Sequence, residues 1–169
     1  MTKEQKLKSF VFVLMPFSDD FKDIYESGIK PACKNCNVKV ERVDEQIFDE
    51  NILSRIYDQI AKADILIADM TGRNPNVFYE VGYAHAIQKR VILLTQNSND
   101  IPFDLKHYPH IVYEGKSYLL KGELRKKLKW CIANPKKIPC TTDLLQKIKE
   151  LERDIHLLDE ISKKRIDDN

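Results

Sequence analysis

The chain has 169 residues, 43% hydrophobic and 32% charged, with 28 Lys+Arg against 26 Asp+Glu and a net charge of +2. That length suits one main domain with some chain to spare, enough to bury a sizeable core. The near-balance of charge excludes a whole-molecule electrostatic binder of nucleic acid, and no apolar run approaches the ~20 residues of a membrane span.

The first eight residues hold no apolar signal-peptide core, and the apolar run from Phe10 is only strand length. Four cysteines without an export signal point to free thiols in a reducing cytoplasm.

Residues 10–15 (Phe-Val-Phe-Val-Leu-Met) predict a buried strand that Pro16 stops. Ser18 or Asp19 can cap a helix from about residue 20 to 33, with Phe21, Ile24, Tyr25 and Ile29 near helical spacing. Gly28 and Pro31 weaken its second half. Cys33 and Cys36 follow. They admit a metal or redox reading, but no second close pair completes four zinc ligands, and redox pairs open helices where this one ends one. A frayed helix end is favoured, and no metal or cofactor is expected. Residues 38–43 alternate apolar and polar, which predicts a half-exposed, edge-type strand. Asp44 at its end is either a ribose-binding acid or a solvated turn. A helix over 49–62 presents Ile52, Ile56 and Ile60, with Leu53 and Tyr57 beside them.

Residues 63–96 are the organising stretch. Residues 64–70 predict a buried strand with Asp69 near its carboxyl end. The Thr-Gly-Arg-Asn-Pro-Asn loop comes next, where Gly72 can take positive φ, Asn74 caps a helix and Pro75 opens it. Val77, Val81, Ala84 and Gln88 share the helix's buried face, and residues 91–95 form another buried strand. The unit is a parallel βαβ crossover. In open α/β sheets ligands bind at the carboxyl ends of strands, and helix N-termini attract anions. Asp69, Arg73, Asn74, Asn76 and Glu80 therefore converge on one rim.

Residues 110–114 predict a last strand and 116–133 a basic helix. His107 and His110 are favoured as packing or hydrogen-bonding groups. Residues 116–149 carry ten Lys/Arg (116, 121, 125, 126, 127, 129, 136, 137, 147, 149) against Glu123 and Asp143. Without interleaved aromatics this reads as a solvated face rather than a nucleic-acid surface. Residues 134–140 are a linker. A final helix over about 141–165 aligns Leu144, Ile148, Leu151, Ile155 and Leu158, a stripe that packs back or pairs two copies into a homodimer. The pattern predicts a three-layer α/β sandwich with a mainly parallel five-stranded sheet, flavodoxin- or Rossmann-like, over residues 1–133, plus C-terminal helices.

The run from Ala63 to Ala86, with Glu80-Val81-Gly82-Tyr83-Ala84 at its centre, resembles the nucleoside 2-deoxyribosyltransferase-like superfamily, in particular a branch described as TIR-like nucleotide-binding proteins. The Leu-Met-Pro-Phe turn at residues 14–17 resembles that family's substrate-side turn. The resemblance spans about residues 10–113. It implies cleavage or transfer at an N-glycosidic bond of a nucleoside, nucleotide or NAD-like ligand, with Glu80 stabilising or capturing an oxocarbenium-like sugar. Asp69 would bind sugar hydroxyls or protonate the leaving base. Pro16, Phe17, Asp44, Gly72, Arg73, Asn74 and Asn76 would bind substrate, and Gly82 would allow close packing beside the pocket. The chain departs from the transferase pattern at Asn74, often Asp, at Phe17, in place of a Tyr, and at Ile56, in place of an Asp. These departures bear on deoxyribosyl transfer more than on nucleotide binding. A TIR-like NAD hydrolase in signalling or defence, and a non-enzymatic nucleotide sensor, are the rival readings.

Overall fold

The computed structural model describes residues 9–49, 51–136, 151–153 and 155. The chain divides into two compact units, Met1–Asn134 and Pro135–Asn169. Residues 151–153 and 155 are helical. The rest of the expected C-terminal helix, including Leu144, Ile148 and Leu158, lies outside the described residues.

The first unit is built on five strands: β1 (Phe10–Leu14), β2 (Lys39–Arg42), β3 (Ile65–Asp69), β4 (Val91–Thr95) and β5 (His110–Val112). All are parallel, in the order β2-β1-β3-β4-β5. β1, β3 and β4 are the apolar, buried runs; β2, the alternating one, is an edge as its pattern requires. The order reverses between β1 and β3, which opens a crevice at their carboxyl ends.

Side-chain alternation divides the interior into two cores. Val11, Val13, Ile65, Ile67, Ile92 and Leu94 face one side of the sheet, and Phe12, Leu14, Leu66, Ala68 and Leu93 face the other. The first side is covered by α1 (Lys30–Lys34), the turns before it, and α4 (Ser117–Ala133), which buries Leu120, Leu124, Leu128 and Cys131. The second is covered by α2 (Ile52–Lys62) and α3 (Pro75–Ala86), through Ile56, Ile60, Val77, Val81 and Ala84. Each fully buried aliphatic side chain contributes roughly 1.5–3 kcal/mol.

The helices depart from expectation in three places. The segment expected as one α-helix over 20–33 is a 3-10 turn (Asp19–Phe21), a π-helical stretch (Ile24–Ile29) and then α1. Pro31 has no N–H to continue an α-helical ladder, and the Lys30 N–H reaches back five residues to the Tyr25 carbonyl. Helix α2 begins later than expected, capped by Asn51, whose side chain accepts the Leu53 N–H at 2.8 Å. Helix α3 stops at Ala86. Gln88, expected on its buried face, is left-handed at φ 59°, and the Lys89 N–H closes on the Ala84 carbonyl at 2.8 Å.

Candidate active site

A cavity of about 320 Å³ opens at the carboxyl end of β1, between the turn after β2, α2 and the start of α3. Pro16 and Phe17 enter it from the turn that ends β1, and Asn74, Asn76 and Glu80 from α3 and its cap. Val43, Ile52, Leu53, Val77 and Tyr79 supply apolar wall. Phe17, Ile52, Leu53 and Tyr79 are between 44% and 63% exposed, so the mouth is an apolar, aromatic rim. Ile52 and Leu53 are thus not core, as helical spacing suggested; the first turn of α2 lines a ligand-sized space. No Lys or Arg lines it.

Glu80 lies in the second turn of α3 with no hydrogen bond or ion pair among the described residues. Burial alone pushes its carboxyl up to about 7. An unpaired carboxylate at that value, facing an apolar cavity, is poised near neutrality. Asn74 is partly committed: its side-chain oxygen accepts the Asn76 and Val77 N–H groups at 3.0 and 3.3 Å. The α3 N-terminus is therefore capped internally. What Asn74 has left is its amide NH2, a donor for a ligand oxygen.

Asp69 is elsewhere. It is fully buried, and it accepts the Thr71 N–H at 3.0 Å, the Thr71 hydroxyl at 2.5 Å and the Tyr113 hydroxyl at 2.6 Å. The Thr71 hydroxyl in turn accepts the Gln96 N–H at 2.9 Å. Burial pushes the Asp69 carboxyl up, against the pull of its Thr71 and Tyr113 hydrogen bonds. Strand parity explains the placement: Asp69 shares the face of Ile65 and Ile67, with Tyr113 in the same core, whereas the cavity lies on the face of Phe12 and Leu14. That parity is readable in the sequence and could have separated Asp69 from Glu80.

The other expected residues divide. Asp44 is gripped by the Arg42 guanidinium and does not line the cavity, although its neighbour Val43 does. Arg42 also lies over the Phe17 and Tyr25 rings, at 5.5 and 4.7 Å from their centroids, and so backs the aromatic that forms the cavity mouth. Gly72 and Arg73 do not line the Glu80 cavity. Gly72, at φ 71°, donates its N–H to Asp100 at 2.9 Å, and Arg73, at φ 54°, bonds the Asn99 carbonyl. The close approach expected at Gly82 is absent: the residue is exposed, and a Cβ there would meet nothing within 4 Å. Tyr79, read as packing, is cavity wall.

Burial pushes the Cys33 thiol up to about 12 and raises Cys36, whose thiol donates to the Arg125 carbonyl at 3.7 Å. His110 bonds the Tyr108 carbonyl at 2.7 Å, and His85 stacks on Tyr108 at 4.7 Å. No group of three or more His, Cys, Asp or Glu among the described residues converges as a metal site, and no helix among them is long and apolar enough to cross a membrane.

A parallel 2-1-3-4-5 sheet with a carboxylate-bearing cavity at its switch point defines a flavodoxin-like α/β protein. Two solved structures share that fold. The TIR domain of a Toll-related receptor from Hydra magnipapillata aligns over 73% of this chain and 98% of its own, with TM-score 0.59 and 13% identity. A CMP N-glycosidase from Clostridium botulinum aligns over 69% and 99%, with TM-score 0.51 and 24% identity. No curated protein matches the chain in sequence. The family model for nucleoside 2-deoxyribosyltransferase matches residues 10–139. The chain belongs to the nucleoside 2-deoxyribosyltransferase family.

Proposed function

We propose that the protein cleaves or transfers at the N-glycosidic bond of a nucleoside or nucleotide, with Glu80 as the group that meets the sugar. The observation that carries this is the unpaired Glu80 carboxylate in a cavity otherwise walled by apolar side chains and two asparagines. As the C1′–N bond breaks, its electron pair leaves with the base, and the Glu80 carboxylate stabilises or bonds the electron-poor C1′. Water or a second hydroxyl then takes C1′, loses its proton, and frees the carboxylate. Phe17 and Tyr79 offer ring faces for the base. Asn74 and Asn76 offer donors and acceptors for sugar hydroxyls.

One feature of the lining favours a particular leaving group. Glu80 is the only carboxylate among the described residues that line the cavity, and Asp69 is on the other face of the sheet. One carboxylate cannot be nucleophile and general acid in the same step. A neutral base needs a proton to leave well; a pyridinium base departs neutral without one. This supports the NAD-hydrolase reading, in which nicotinamide is released.

The reading predicts a pH dependence. Glu80 must be ionised to meet C1′, and its carboxyl titrates at about 7. The kcat/KM for base release should therefore rise from pH 5 and level off above pH 8, with roughly a hundredfold between them. A flat profile across that range would remove Glu80 from the role.

A further inference from the structure

Among the described residues no Lys or Arg lines the cavity that holds Glu80, the Arg42 guanidinium behind Phe17 is paired with Asp44, and the α3 N-terminus is capped by Asn74. Cationic charge lies on the other flank of the same helix. There Arg73 and Lys106 line a second, more open cavity of about 620 Å³ with Phe78 and Phe103. No acid lines it. Arg73 keeps 63% of its side chain exposed while it bonds the Asn99 carbonyl and lies 4.0 Å from an Asp100 carboxylate oxygen, and Lys106 is exposed and has no ion pair among the described residues. Phe103 is 76% exposed, an unburied ring beside an unpaired ammonium. A base can stack on such a ring, and a phosphate beside Lys106 and the exposed side of Arg73 gains charge-assisted hydrogen bonds.

The two cavities are neighbours by topology. One sits at the end of β1, and the other is reached from the loops after β3 and β4. Adjacent strands lie about 4.8 Å apart, so the turn after β1 and the loop after β4 are separated by roughly 10 Å across the rim. A pyrophosphate-linked pair of nucleosides covers that span; a mononucleotide fills one side only.

We propose that the Arg73–Lys106–Phe103 cavity is a second subsite, which takes the pyrophosphate and distal nucleoside of a dinucleotide whose glycosidic bond lies at Glu80. The proposal rests on the glycosidase reading of Glu80, and it names the substrate class as a dinucleotide. Arg73 and Lys106 neutralise the pyrophosphate, and Phe103 carries the distal base.

The test uses the full chain with Lys106→Glu and Phe103→Ala, both at exposed positions where the fold has little to lose. Two measurements are made: steady-state nicotinamide release from NAD, and calorimetric binding of ADP-ribose, which lacks the cleaved bond. The expected result is a KM for NAD raised tenfold or more in each variant, with kcat within about twofold of wild type. ADP-ribose affinity should fall by a similar factor. Nicotinamide release with an unchanged KM in both variants would overturn the subsite and leave the role of Glu80 standing. Absence of base release from wild type, with ADP-ribose bound and lost in the variants, would overturn the glycosidase reading and leave the subsite standing. Nicotinamide mononucleotide turned over as well as NAD would overturn the dinucleotide assignment.

Discussion

Glu80 and Asp69 are two acids in one strand–loop–helix unit, and their surroundings are opposite in kind. Glu80 faces a cavity with no partner, and burial alone raises its carboxyl. Asp69 faces a core and has three hydrogen bonds, which tie the β3 loop to Tyr113. Asp69→Asn replaces an acceptor oxygen with a donor amide against hydroxyl and N–H donors. It should cost about 1–3 kcal/mol of stability, read as a lower urea midpoint with unchanged slope. An unchanged midpoint with abolished turnover would instead give Asp69 a chemical role. The difference between these residues was half legible. Residue types and the strand–loop–helix order marked both acids as candidates, and β3 parity set them on opposite faces. What no local pattern carried was Tyr113, some forty residues on, whose hydroxyl bonds the Asp69 carboxylate inside the core.

Helices and turns show the same division between local and tertiary signals. The cap at Asn74, the start of α3 at Pro75 and the edge character of β2 follow from short-range chemistry. The π-helical stretch before α1 is local in one part, the missing N–H of Pro31, and tertiary in another, the close approach of α4 at Gly28. A Cβ at Gly28 would lie 3.1 Å from the Leu120 Cδ2 and 3.4 Å from the Ser117 carbonyl oxygen. Two glycine substitutions separate the cases. Gly82→Ala fills open space on an exposed helix and should stabilise the fold by about 0.5–1 kcal/mol, while Gly28→Ala forces α4 outward and should destabilise it. Thermal melts of the two variants should shift in opposite directions. A drop in Tm for Gly82→Ala would restore the close approach expected from the sequence.

At the scale of the molecule, the two cores close within the first unit, whose last core member is Cys131. Both cavities are lined from within the same unit. A chain ending at Lys136 should therefore keep its far-UV circular dichroism per residue and a single cooperative melt. Loss of cooperativity would show that the second unit completes the fold. Light scattering on the same pair of proteins reads self-association: the paired-helix proposal for 141–165 requires that the truncated chain be monomeric while the full chain is a dimer. Fold class was legible because five strand-length apolar or alternating runs separated by helical spacing admit few topologies. The cavities were not, because their walls come from the end of β1, four different loops and the N-terminal halves of α2 and α3.

The most direct measurement is base release from nucleosides, nucleoside monophosphates and NAD, followed by liquid chromatography, for wild type and Glu80→Gln. The account predicts release by wild type, with NAD the best substrate, and a loss of at least ~10³-fold in the Gln variant. Release that persists in Glu80→Gln, or no release from any member of the panel by wild type, would contradict it.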